Sequence, residues 1–472
     1  MAKEYSTDFN LKSAIIYKVG SDKSYDITDL ITRFDYFESI NYPAVSANLN
    51  VVDSGKNLIA SLPIQGFEKV EIELEDALDE IYNYTLYVYN ISNRFASDRF
   101  QRYTLSLISL EALLNESVRI SKTLRGKPEE IVKELLQQNL KTNKEIFTDP
   151  SLYNIVTNPG KKSPFATINS FKDRTILSGT NSTNTAKKSS PGILPSVDVA
   201  SATGKTDKAD YTKGKGSAGY FFYENSEGYH FKSIDTLCSV GTFGGTEPVA
   251  RYVQENNDVG GPPTRKIMDI DFTNEINIMD KLRMGAYSSL ICFYDFSTGD
   301  YEEQVYSLAE NYDKMGHLGT QTGLPFGQKE LSQYPTRIMS SLLDHESWFN
   351  QATIASPEEK HGATGTTTSY PDFQKYYISQ SISRANTLEN QRVKITVSGN
   401  PALKVGDKIE IEIPNQIPTS YRTDKPYDEE HSGVYLIAEI NHAFAAKDKK
   451  SNTFLTLIRD SYGRRGTASK VE

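Results

Sequence analysis

The sequence predicts a mainly β protein with α+β insertions, built around two copies of one small β-domain. Three observations carry this. Aromatic and β-branched residues are abundant, most apolar runs alternate with period two, and one strand is written twice. The 472 residues exceed what a single core organises, so about three domains are expected. Tyr (29) and Phe (21) stand beside one Trp and six Met, a balance that favours sheet.

Charge and cysteine usage narrow the class. A net charge of −9 argues against a nucleic-acid-binding surface. Cys238 and Cys292 share no metal-ligand spacing and read as buried free thiols of a cytosolic product. The opening MAKEYSTDFN lacks the apolar core of a signal peptide, and no run approaches the roughly 18 apolar residues of a membrane-spanning helix. A soluble protein made in a cytoplasm is expected.

From Ser13 to about Glu116 the apolar period is two, in AIIYKV, ANLNVV, KVEIELE, YTLYVYNI and RYTLSLIS, which predicts an all-β unit. At Gly126 the rhythm changes. KPEEIVKELLQQNL starts with Pro128 and two glutamates, favourable in a first helical turn, and SPFATINSFKDR announces a second helix with Ser163 as N-cap. Residues 178–218 are rich in Ser, Thr, Lys and Gly, too poor in apolar residues to fold alone, and a partner chain is expected to hold them. GYFFYENSEGYHFKSI then predicts an aromatic hairpin turning at Asn225–Gly228.

GGPP at 260–263 marks a joint. A strand (KIMDIDF), a helix (EINIMDKLRMGA) and a hairpin turning at Gly299 follow. Residues 311–370 are loop-rich, and a helix is expected from Asp372. The last hundred residues return to strands: RVKITVSG, DKIEIEI, GVYLIAEINHAF and TFLTLIRD.

EKVEIEL (68–74) and DKIEIEI (407–413) match acid for acid, lysine for lysine and aliphatic for aliphatic. Any half-buried strand alternates, so one such match means little. Two more follow in the same order. ISNRFASD (91–98) lies on INHAFAAK (440–447), and YTLSLIS (103–109) on TFLTLIR (453–459), pairing Ile91 with Ile440, Phe95 with Phe444 and Leu105 with Leu455. The sequence therefore predicts a duplicated β-domain. Two modules per chain let three chains present six similar units, which suits a junction between threefold and sixfold objects.

SLPIQGFEKVEIEL, RGKPEEIVKELL, SPFATINSF, FFYENSEGYHFKSIDTL and VKITVSGNPALKVGDKIEIEIP together resemble the central baseplate hub protein of contractile-tailed bacteriophages, to which the N-terminal module of type VI secretion spike proteins is related. The resemblance implies two tandem tail-tube-like split β-barrel domains per chain and a homotrimer forming a pseudo-hexameric ring around a channel. It implies a spike protein below, tail-tube or tube-initiator proteins above and baseplate wedge proteins alongside. DNA would pass through without specific binding, with no membrane insertion, in a virion assembled in the host cytoplasm. The implied divisions are 1–117 (first barrel), 118–262 (accessory, with the 178–218 insert), 264–297 with 370–462 (second barrel), 298–369 (inserted) and 463–472 (tail). The outward glutamates Glu71, Glu73, Glu410 and Glu412 are expected either to face the channel, with like charge keeping DNA from sticking, or to face bulk solvent.

No catalytic, cofactor or metal site is expected. SATGKT (201–206) ends like a phosphate-binding loop, but Val199 stands where that motif needs Gly. Asp269 and Asp271 share a strand face as an ordinary solvated edge. The six histidines (His230, His317, His345, His361, His431, His442) lack metal-binding spacing, and Asp344, His345 and Glu346 point apart on a helix. No G-x-S-x-G elbow occurs. The alternatives are a tail-associated cell-wall hydrolase scaffold and a secretion-system spike module. The latter would continue into a β-helix, whereas this sequence stops at SYGRRGTASKVE.

Overall fold

The structure, a computed structural model, describes residues 9–463 except 22, 55–63, 77–78, 98–99, 153, 179–216, 255–264, 275–276, 297–298, 313–314, 320–333, 344–369, 415–426 and 429. The glycine-rich joint at 260–263, the SATGKT stretch, most of the 178–218 insert, Asp344, His345, Glu346 and His361 lie outside the described residues.

Seven strands form the first β-unit: β1 (Phe9–Tyr17), β2 (Ser24–Asp26), β3 (Ile31–Ser39), β4 (Ser46–Asp53), β5 (Lys69–Asp76), β6 (Ile81–Ala96) and β7 (Gln101–Ile108). β5 shows why: Val70, Ile72 and Leu74 are buried while Glu71 and Glu73 on the other face are half-buried, the two-sided environment that alternation requires. Helix α1 (Leu110–Ser117) follows. It lies within the span expected to be all-β, because Leu, Glu and Ala favour helix once strand alternation ends.

The next region carries β8 (Leu124–Gly126), helix α2 (Pro128–Glu134) continued by one π turn (Leu135–Asn139), β9 (Glu145–Thr148), β10 (Ile155–Thr157) and helix α3 (Pro164–Lys172). Ser163 caps α3, its Oγ accepting from the Ala166 N–H at 3.4 Å. The aromatic hairpin is β11 (Tyr220–Asn225) and β12 (Gly228–Ser233), and β9 pairs parallel to β12. Helix α4 (Ile234–Leu237) and β13 (Ala250–Val253) complete the region.

Thereafter come β14 (Ile267–Asn274), helix α5 (Ile278–Met284), β15 (Ser288–Tyr294), β16 (Tyr301–Ser307), helix α6 (Leu308–Asn311), β17 (Arg337–Leu342), helix α7 (Tyr370–Thr387), β18 (Gln391–Ser398), β19 (Lys408–Glu412), β20 (Gly433–Ala445) and β21 (Lys450–Arg459). β15 pairs with β16 and β17 in a separate three-stranded sheet, not with the strands of the second unit. The part of 264–297 that joins the main sheet therefore ends at Asn274.

One sheet runs β14-β18-β21-β20-β3-β4-β7-β6-β5-β1-β2, with β19 pairing β20 and β13 pairing β19. It contains the same antiparallel five-strand order twice, β3-β4-β7-β6-β5 and β14-β18-β21-β20-β19. The registers repeat as well. Val88 faces Leu107 as Ile437 faces Leu457, and Ile91 faces Leu105 as Ile440 faces Leu455. A bulge between Val88 and Asn90 recurs between Ile437 and Glu439, and one between Ile31 and Arg33 recurs between Ile267 and Asp269. Bulges are specific local features, so their recurrence separates a repeated unit from generic alternation. The copies differ at one flank: β1 lies antiparallel to β5, whereas β13 lies parallel to β19.

Each copy has its own apolar core. One gathers Leu49, Val70, Leu105 and Leu107; the other gathers Ile395, Ile409, Leu455 and Leu457. A third core lies under α2, α3 and the aromatic hairpin, with Leu135, Phe171 and Phe231. Phe221, Tyr223 and Tyr252, all within 118–262, pack instead into the second copy's core, so that region is fused to it.

Candidate assembly surface

The two copies join through strand β20. Its first residues pair with β19, Leu436 opposite Lys408, and its last seven, Glu439 to Ala445, pair antiparallel with Ser39 to Arg33 of β3. The Ala446 N–H continues the seam, donating to the Thr32 carbonyl at 3.1 Å. At its far end Phe444 is 2% exposed inside the first copy's core, stacked on Phe34 at 5.8 Å and edge-on to Phe9 at 5.1 Å. A side chain of one repeat thus completes the core of the other.

Phe95 occupies the matching place in the first repeat, on the β6–β7 hairpin, and is 59% exposed, touching Phe100 at a centroid distance of 6.2 Å. Arg94 and Arg102 are exposed beside it. At one edge of the sheet, β14 pairs only with β18 among the described strands and exposes Met268, Asp269 and Asp271.

A polar joint fixes the accessory hairpin against both copies. Buried Glu38 on β3 accepts the Ser226 N–H at 2.7 Å and the Val405 N–H at 3.0 Å, and the Tyr36 hydroxyl donates to it at 3.1 Å. Burial pushes the Glu38 carboxyl up to about 7 despite these donors, and burial likewise raises the nearby Asp407 to about 6. Asn225 donates to the Val405 carbonyl, and Lys404 pairs with Glu227 at 2.6 Å. Gly406 adopts φ +91°, and a Cβ there would meet the Tyr223 hydroxyl. The two most specific sequence phrases, YENSEGYHFKS and GNPALKVGDKI, meet at this point. Beside it, Glu224 accepts the Val45 N–H at 3.1 Å, and Lys144 bridges Glu224 and Glu111.

A second buried cluster ties α7 to the end of β21. Arg384 donates to Asp460 at 2.8 Å, to Asp235 at 3.2 Å and to the Gly316 carbonyl, while His317 Nδ1 lies 2.7 Å from Asp460. Burial pushes the Asp460 carboxyl up, but His317 and Arg384 outweigh it and hold it well below the usual carboxylate range. Charges this deeply buried persist only when paired.

The four predicted glutamates do not behave alike. Glu71 is half-exposed, pairs with Lys69 and accepts from the Tyr17 hydroxyl at 2.7 Å; those two partners hold its carboxyl below the usual range. Glu73 and Glu410 are half-buried. Glu412, expected on an open face, is instead buried at 1% side-chain exposure in an ion pair with Arg251, because β13 covers that flank of β19.

The described histidines have structural roles. His442 lies between Thr453 Oγ1 and the Leu403 carbonyl, and His230 between Asn225 Oδ1 and the Tyr223 ring. Burial lowers both to about 4. His431 contacts Asp428 at 2.7 Å. Among the described residues no group of three or more His, Cys, Asp or Glu is placed to hold a metal. Cys238 and Cys292 are free thiols, the first buried and the second half-buried. No described helix is long and apolar enough to cross a membrane.

This is the fold of a tail protein. The chain superimposes on the tail protein from Neisseria meningitidis with a TM-score of 0.51 at 12% identity, covering 96% of this chain and 97% of that one. A 43 kDa prophage tail protein from Shewanella oneidensis matches with a TM-score of 0.47 at 8% identity, over 95% and 98% of the two chains. A type VI secretion component from E. coli matches with a TM-score of 0.40 at 9% identity, over 97% of this chain and 79% of its own. No family model matches the chain, and no curated protein matches it in sequence.

Proposed function

We propose that the chain is a structural, non-enzymatic phage tail protein: a baseplate hub whose three copies close a ring of six similar modules. It joins a threefold membrane-piercing spike to the sixfold tail tube, in a virion assembled in the bacterial cytoplasm. The observation that carries this reading is the five-strand unit written twice with one register and joined edge to edge through β20 and β3. A chain holding two like modules in series doubles the rotational order of whatever closed assembly it forms.

In this reading the tube-like barrels are 1–117 and the strands drawn from 264–274 and 391–459. The region 118–262, apart from β13 and the aromatic residues seated in the second core, and the region 298–369 meet baseplate neighbours, and 463–472 is a tail. Glu71, Glu73 and Glu410 line a channel through which DNA passes unbound; Glu412, buried against Arg251, does not reach it, and Glu71 shares its charge with Lys69.

The test is the mass of the purified chain, alone and mixed with its spike protein, followed by imaging of the complex. Three copies with six similar densities around an axis are expected. A stable dimer or tetramer overturns the ring, and clearing of bacterial wall material by the purified chain overturns the non-enzymatic reading.

A further inference from the structure

We infer that the β6–β7 hairpin of one copy, led by Phe95, adds onto the open edge of β14 in a second copy of this chain. The joint reproduces between chains the one that β20–β21 and β3 make within a chain, and it rests on the ring reading above.

The argument compares equivalent positions. In register, Phe95 corresponds to Phe444, and β14 corresponds to β3, with Ile270 at the place of Phe34 and Phe272 at that of Tyr36. Within the chain, Phe444 lies opposite Phe34 and is buried by the contact. Phe95 has the same position on its hairpin and stands 59% exposed. Ile270 and Phe272 are only partly buried against their core. The first repeat thus carries an unseated plug, and the second carries an uncovered seat.

Backbone chemistry agrees. Residues 90–96 of β6 pair only with β7 among the described strands, and 269–274 of β14 pair only with β18. Open edges of this kind are templates for strand addition. Charge agrees too, since the hairpin exposes Arg94 and Arg102 while the β14 edge exposes Asp269 and Asp271. The contact uses two different surfaces, so it is head-to-tail, and it yields a ring when its rotation closes.

The test uses the full chain with Cys292→Ser, which removes the half-buried thiol. Ala96 corresponds to Ala445, which lies opposite Arg33, whose counterpart is Asp269. An Ala96→Cys/Asp269→Cys double variant is therefore expected to form intermolecular disulfides that trap closed covalent oligomers under mild oxidation, whereas each single variant is not. Phe95→Asp, at an exposed position, is expected to leave the circular dichroism spectrum and the stability of the isolated monomer unchanged and to shift the sedimenting species at least tenfold toward monomer. Trimers that survive Phe95→Asp and do not cross-link overturn this joint while the ring reading stands. Cross-linked rings of a number other than three retain the joint and overturn the trimeric hub. A chain that stays monomeric and uncrosslinked at high concentration overturns the joint.

Discussion

The Glu38 carboxylate accepts the Val405 backbone N–H at 3.0 Å, joining residues 367 positions apart on the two repeats. The same side chain accepts the Ser226 N–H of the aromatic hairpin, so one buried acid locks three regions together.

That acid makes the joint pH-sensitive. The folded value is raised from 4.5 to about 7, so its contribution is full below the unfolded value and is lost as pH rises from about 5 through 7. The loss is on the order of 3 kcal/mol, taking about 1.4 kcal/mol per unit. Asp407 acts in the same direction, whereas His230 and His442, lowered to about 4, oppose it by destabilising the fold as pH falls. Only the difference between wild type and Glu38→Gln isolates the group. Denaturation at a series of pH values is expected to show a shallower decline between pH 5 and 7 in the variant.

Arg384→Ala strands Asp235 and Asp460 in a buried site. A loss of about 3–5 kcal/mol is expected from urea unfolding, with a smaller loss in Asp460→Asn, which retains one acidic partner for the guanidinium.

Phe444→Ala and Phe95→Ala alter matching residues in unlike surroundings. The first empties a core position and is expected to cost about 3–5 kcal/mol. The second, measured on the monomer, is expected to stay within about 0.5 kcal/mol. Equal effects would mean that Phe444 does not anchor the seam.

Gly228 takes φ +150°, and a Cβ there would lie 2.2 Å from the Glu145 carbonyl oxygen of the neighbouring strand. Gly228→Ala is therefore expected to break the parallel β9–β12 pairing. Calorimetry would show a lowered melting temperature, and hydrogen exchange would show early opening at 145–148.

The duplication was legible because register is conserved in residue types. Ile91 and Leu105 face each other, and so do the aligned Ile440 and Leu455. Capping was legible at Ser163 for the same local reason. Helix α1 was not, because eight residues at the end of a strand run carry too little period to separate the two forms. β13 was not either: ARYV follows a glycine-rich stretch, and nothing local says that it runs parallel to a strand more than 150 residues downstream. That addition is also why Glu412 is covered. Glu38 and Arg384 look like surface charges in sequence, since their partners are set only by the tertiary fold.

Strand β20 passes from one core into the other as uninterrupted backbone. The seven paired residues that β20 shares with β3 tie the modules along one ribbon, so the twist of that ribbon sets their relative angle. Because the halves share that ribbon and the Phe444 core position, heating is expected to melt both in one cooperative step rather than in sequence.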